Sequence, residues 1–384
     1  MSNEKQWIEQ LKKELKSQTI SKQTIEIEDL SWEVTDNNTL KSPIQPQKKI
    51  DTEWKFYGYH IVENSAKSNV DILQDLNQGA SGLLITFDTI PDFNTLFNGV
   101  LFEYISVYIR LTNQACYEAT NEWIEKTNPK NVHLESSDLN MALAKNLVSG
   151  YDIYAIGGNC WQELSFVIYQ VEKHLLTSSE SIIVEFGVGE NFIAEVAKIN
   201  GFHWLLSALK AKHNAPNFSV IVRARLGWRN KSINELHTNQ IRQTSEALSA
   251  ILGGIHQLCI PPHDLKFTKE PQTLIRRMAV NTAHILKEES HLNGRSDIAQ
   301  GSYILNHLSH QLCDKAWEVS QTENINELLI NHINLTRALR IKRINNSLDN
   351  FIGIIPSDNP KPELVHGSNE TGAFHIPDFY YATL

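Results

Sequence analysis

The chain has 384 residues, 41% hydrophobic and 21% charged, the proportions of a globular protein with room for a substantial core. Its formal charge of −9 argues against non-specific nucleic-acid binding, so an anionic ligand would need local arginines. No apolar run approaches the roughly 20 residues of a membrane span, and the charged N-terminus lacks a signal-peptide core, so the expected compartment is cytoplasmic.

Residues 4–17 read as an amphipathic helix with Trp7, Ile8, Leu11 and Leu15 on one face. A polar stretch over 35–51, with Pro43 and Pro46, follows as a linker or extended arm. Residues 1–53 are therefore expected to form an arm suited to wrapping a partner subunit. From Trp54 the pattern becomes strands alternating with helices. Strands are expected at 54–61, 82–87, 105–111, 132–135, 151–156, 181–186, 219–224 and 254–260. Helices are expected at 69–78, 116–127, 137–148, 161–176, 191–213 and 233–252. Eight such units over about 235 residues predict an α/β fold, a (β/α)₈ TIM barrel spanning 54–290, with a doubly wound open sheet as the alternative. A long helix at 273–289, a helical extension over 291–355 that includes 325–342, and an irregular tail over 356–384 complete the expected organisation.

Cys116, Cys160, Cys259 and Cys313 are far apart and form no CxxC pair, so they read as free thiols. Fifteen histidines supply no HExxH or comparable spacing, and no metal site is expected. In a barrel the site lies at the C-terminal ends of the strands, which here carry Tyr59, His60, Asp88, Arg110, Glu135, Asn159, Glu190, Arg223, Arg225 and the 261–264 run Pro-Pro-His-Asp. Arg223, Arg225 and Arg229 alternate along one strand and its loop, forming either an anion-binding patch or a surface salt-bridge row. Gly187-Val188-Gly189 reads as a tight turn that could approach phosphate. Asn159 and Asp264 are expected to start the helices after their strands. Glu289, Ser290 and His291 are consecutive, and on one helix their side chains would splay about 100° apart per residue, too far for a relay.

Several segments together resemble the methylmalonyl-CoA mutase family. They are the 244–254 run TSEALSAILGG leading to Pro261 and Asp264, and Gly157-Gly158 with Gln162-Glu163-Leu164. The 283–317 segment adds Glu289-Ser290-His291-Leu292, Asp297 and Gly301-Ser302-Tyr303. The helix over 4–17 is similar to the arm of the family's small subunits. In 283–317 a second helix is expected after Tyr303, with Ile304, Leu305, Leu308, Leu312 and Trp317 on one face.

The resemblance implies an acyl-CoA barrel and a radical interconversion of succinyl-CoA and methylmalonyl-CoA, driven by adenosylcobalamin on a separate domain marked by DxHxxG. That motif is missing after the barrel, so no cofactor is expected on this chain and adenosylcobalamin is expected on a partner. The family's catalytic histidine would fall within residues 151–155, which hold none, and its Arg-Gln-Tyr-Ala-Gly-Phe run is replaced by Tyr57-Gly58-Tyr59-His60-Ile61. Trp228 stands where small residues are usual and could block the axis. The resemblance thus implies a small subunit with no catalytic residues, its vestigial substrate-binding positions being Tyr59, Arg223, Arg225 and Arg229. The implied partner is a catalytic large subunit, with a homodimer when the chain is alone. A catalytic barrel using a cobalamin domain on another chain is the alternative, and an unrelated barrel enzyme a third.

Overall fold

A computed structural model describes residue 13 and residues 24–27, 30–33, 53–111, 113–136, 146–177, 181–232, 236–268, 273–294, 296–299 and 301–345. The linker at 35–51, residues 137–145 of the helix expected over 137–148, connector residues 295 and 300, and the tail from 356 lie outside the described residues. So does the helix over 4–17, apart from helical Lys13. Leu147 and Val148, at the end of the helix expected over 137–148, are strand. An antiparallel pair of strands, Thr24–Ile27 and Leu30–Glu33, not among the expected elements, has Ile27 paired with Leu30.

Eight parallel strands follow: β1 (Lys55–Ile61), β2 (Gly82–Phe87), β3 (Ser106–Leu111), β4 (Val132–Glu135), β5 (Leu147–Ser149), β6 (Ile182–Val188), β7 (Val220–Leu226) and β8 (Gln257–Cys259). They hydrogen-bond in the order β4-β3-β2-β1-β8-β7-β6-β5. Because the last strand pairs with the first, the sheet curls into a nearly closed (β/α)₈ barrel, with β4 and β5 meeting across the gap. An open doubly wound sheet has no such pairing.

The helices are α1 (Ser65–Asn77), α2 (Phe93–Leu96), α3 (Gln114–Thr127), α4 (Gly150–Ala155), α5 (Cys160–Thr177), α6 (Phe192–Lys212), α7 (Leu236–Gly253), α8 (Thr273–His284), α9 (Tyr303–Ser320) and α10 (Ile325–Asn345). Their apolar faces meet the outward strand residues in two cores. One lies under α1 to α3 and is built on Leu83, Ile85, Val107 and Ile109. The larger, under α5 to α9, joins Val184, Phe186, Val222 and Leu258 to Leu164, Phe202 and Leu312. Helix α9 lies against α5 and α6, and Cys313 approaches Gly201 so closely that a Cβ there would sit 3.0 Å from its sulfur. Gly253 is similar, since a Cβ would meet Ile199 at 2.7 Å, and Gly254 at φ +93° ends α7, as the Gly-Gly pair suggested.

Three expectations need correcting. The fifth strand is not 151–156 but Leu147–Ser149; the aromatic run that reads as a strand is the helix α4. Gly150 sits within 2.8 Å of Val167 of α5 by its would-be Cβ, so the chain turns there, and Asp152 falls in the first helical turn, where a carboxylate is favoured. Local β propensity loses to that packing. The helix expected over 273–289 changes at Ile285 into a π turn (Ile285–Glu289), followed by His291 at φ +53°, so Glu289, Ser290 and His291 do not share one helix. In α9, Leu308 and Leu312 are buried but Ile304 is exposed, and Ala316 and Val319 complete the inner face. Asp264 lies in a turn rather than at a helix start, whereas Asn159 caps α5 reciprocally with Gln162, at 2.9 and 3.2 Å.

Candidate functional site

The alternation of β1 turns Tyr57 and Tyr59 into the barrel and Phe56, Gly58 and His60 towards the helices, where His60, Asp75 of α1 and Arg276 of α8 form an ion group at 3.0 to 3.1 Å. The same period sends Tyr108 and Arg110 inward from β3, Glu135 from β4, Glu185 from β6, Arg223 and Arg225 from β7, and Gln257 and Cys259 from β8. All are buried.

These side chains fill the axis in layers. At the bottom, Gln257 donates to the hydroxyls of Tyr57 and Tyr108, at 3.3 and 3.0 Å, and accepts from Arg223 Nε at 2.8 Å. In the middle, Arg223 grips Glu135 with two guanidinium nitrogens, at 2.8 and 2.9 Å. Arg110 reaches Glu185 at 2.8 Å, and Arg225 reaches the other oxygen of Glu185 at 3.1 Å. Above, Arg225 donates to the Tyr59 hydroxyl at 3.2 Å and lies 3.4 Å over the Tyr151 ring.

Three guanidinium groups thus face two glutamates, and Asp152 of α4 is the third acid. Burial would raise the Glu185 carboxyl, but Arg110, Arg225 and Arg223 override it and hold it down to about 2. For Asp152 burial wins: the group is pushed up to about 7 although Arg110 and Arg225 pull against the rise. Burial also pushes the Cys259 thiol up to about 12, so it is inert as a nucleophile at neutral pH.

The mouth is closed by rings. Trp228 is 2% exposed, tilts against Tyr59 at 5.7 Å and carries the ammonium of Lys266 at 4.8 Å over its face. Tyr154 lies in a cradle of Gly187, Gly189 and Gly227, where a Cβ at any of the three would sit 2.1 to 2.9 Å from the ring. Arg229 stacks on Tyr154 at 3.8 Å and donates to the carbonyls of Gly158 and Tyr154, at 2.7 and 3.2 Å. Gly187 and Gly189 are not a phosphate turn. Gly187 ends inside β6, and the two N–H groups donate to Glu163 and Glu195, at 2.7 and 3.0 Å. Both carboxylates clamp buried Lys198, and burial followed by the Glu195 charge pushes Glu163 up to about 8 against the pull of Lys198.

Tyr59, Arg223 and Arg225 are therefore brought together on the axis, while Arg229 sits above with Tyr154. The three arginines are not a surface row: strand alternation turns Arg223 and Arg225 inward, and all three are at most 2% exposed. Sequence reasoning passed over Glu185, Asp152, Tyr108 and Gln257. The legible signal was Glu185 itself, a lone acid inside the apolar strand IIVEFGV, a position that demands a buried cation. Among the described residues, no group of three His, Cys, Asp or Glu is placed to hold a metal. No helix there is long and apolar enough to cross a membrane.

The fold and this interior define a (β/α)₈ barrel whose axis is packed with an ionic and aromatic core. Residues 143–328, just under half of the chain, match the methylmalonyl-CoA mutase family model. The methylmalonyl-CoA mutase small subunit of Porphyromonas gingivalis is 26% identical over 138 residues, 35% of this chain and 22% of that protein. The methylmalonyl-CoA mutase of Cereibacter sphaeroides is 25% identical over 291 residues, 62% of this chain and 40% of the relative. The Escherichia coli methylmalonyl-CoA mutase is 28% identical over 190 residues, 45% and 26% respectively. The chain thus spans less than half the length of these relatives.

Proposed function

We propose that the chain is a small, non-catalytic subunit of an adenosylcobalamin-dependent methylmalonyl-CoA mutase, supporting a catalytic large subunit. The observation that carries this reading is the filled axis. Tyr59, Tyr154 and Trp228 take the space that an acyl group would need, and the arginines beneath them are spent on Glu135 and Glu185. The wall of the mouth, the Tyr154 ring seated against three glycines, supports placing adenosylcobalamin on the partner. No reaction step is therefore assigned to this chain. Likeness to a relative named as a small subunit supports the same role.

The test is co-expression with a methylmalonyl-CoA mutase large subunit, followed by size-exclusion chromatography and a mutase assay with adenosylcobalamin. A stable complex, with activity confined to it or to the large subunit, is expected. Stoichiometric cobalamin binding by the isolated chain, or turnover when only a stand-alone cobalamin-binding protein is added, would overturn the reading and favour a catalytic barrel.

A further inference from the structure

Charge along the axis does not balance. Arg110, Arg223 and Arg225 put three guanidinium groups there, and Glu135 and Glu185 are the carboxylates that meet them. Arg223 holds Glu135 with two nitrogens, and Arg225 bonds Glu185 and Tyr59. Arg110 is less fully engaged: its Nη2 serves both glutamates, at 2.8 and 3.5 Å, while its Nε is buried with no hydrogen-bond partner. Ser149 is also unspent. It precedes α4 without capping it, and its Oγ is buried without a partner. Alternation along β5 puts Leu147 and Ser149 on the inner side and Val148 on the outer. Asp152, in the next turn, faces Arg110 of β3, Arg225 of β7, Glu185 of β6 and Ser149 of β5. It is the acid that could neutralise the third arginine, yet burial pushes its carboxyl up to about 7, so in acid it stays neutral.

We propose that Arg110, Ser149 and Asp152 form a site for one small monoanion, chloride or a short carboxylate such as formate, at the open seam between β4 and β5. Arg110 lies beside Glu135 of β4, its register partner, and Ser149 ends β5, so both border the place where the two strands share no ladder. Arg110 also keeps 5% of its surface exposed, whereas Glu135, Glu185, Arg223 and Arg225 keep none, so this end of the charged layer is the one that reaches solvent. An ion of that size needs little more than the roughly 30 Å³ of a water. The anion accepts from Arg110 Nε–H, from the Ser149 hydroxyl and from the protonated Asp152 carboxyl, and it neutralises the third guanidinium. A neutral molecule would satisfy the donors and leave the charge. Glu135 and Glu185 oppose the anion, but both are already paired. Ionised Asp152 would repel it and supply the missing charge itself, so the anion and Asp152 ionisation exclude each other. The site goes beyond the small-subunit reading and does not rest on it, because neither ion needs the room of an acyl-CoA.

The full chain is titrated with chloride at constant ionic strength, with bulky gluconate as the balancing anion, and the chlorine NMR line width is followed. Saturable broadening is expected at about pH 6, with affinity about tenfold weaker at about pH 8, where most of Asp152 is ionised. Arg110→Gln should abolish it. Asp152→Asn keeps a donor but cannot ionise, so it should bind equally well at both pH values. Displacement of chloride by formate identifies a site that carboxylates share, and resistance to formate identifies a halide site; either supports the proposal. No saturable broadening at about pH 6 overturns it. So does broadening unchanged by Arg110→Gln, or an Asp152→Asn protein that keeps the parental pH dependence. The Asp152→Asn comparison decides if Arg110→Gln fails to fold.

Discussion

The barrel wall is lined on its two sides by different chemistry. Outside the strands, Val184, Phe186, Val222 and Leu258 meet helices mainly through apolar contact, with Lys198 of α6 also lying over the Phe186 ring. Inside, one residue along the same strands, Glu185, Arg223, Arg225 and Gln257 meet each other through charge and hydrogen bonds. The outer layer supplies non-directional stabilisation that tolerates volume-conserving exchange. The inner layer supplies little net stabilisation, because desolvation offsets attraction, but it is unforgiving of losing one partner.

The largest expected effect tests the inner layer. Glu185→Gln leaves Arg110 and Arg225 without their shared anion and should destabilise the fold by about 3–5 kcal/mol in denaturant unfolding. A cost below about 1 kcal/mol would mean the inner charges are solvated. Leu312→Ala in α9 tests the outer layer; it removes a fully buried side chain and should cost about 3 kcal/mol by the same measurement.

Asp152 probes the balance within the inner layer. Burial raises its folded-state pKa from the ordinary aspartate value of 3.8 to about 7, so ionisation opposes folding: the penalty is absent in acid and grows as pH rises towards 7. Asp152→Asn should therefore gain stability over the parent by roughly 2–3 kcal/mol more at about pH 8 than at about pH 5. A pH-independent difference would place its titration elsewhere. The smallest effect is local to the outer layer: Asn159→Ala removes the α5 cap and should lower stability by about 1 kcal/mol, read as a small fall in melting temperature.

The outer layer is also the half that the sequence reveals. The bounds of β2 and β4 coincide with the expected strands, and those of α5, α6 and α7 fall within three residues of expectation, because apolar periodicity records which side meets a neighbour. The Asn159–Gln162 cap is likewise local and legible. The run from Tyr151 was misread since aromatic and β-branched residues satisfy a buried helix as well as a strand, and only the approach of Gly150 to α5 chooses between them.

By itself the sequence determined the alternation of strands and helices, the family resemblance, the absence of a histidine within 151–155 and the two-residue spacing of Arg223 and Arg225. Tertiary structure decided what those arginines do. Glu135, Glu185 and Arg223 come from three strands separated by up to 88 positions, and only closure of the sheet sets Glu135 opposite Arg223. It also decided that Tyr154, read from sequence as part of a strand, turns on a short helix into a cradle of three glycines from two strand ends and closes the mouth. A linear pattern encodes which residues need burial; which partners meet there depends on how the barrel closes.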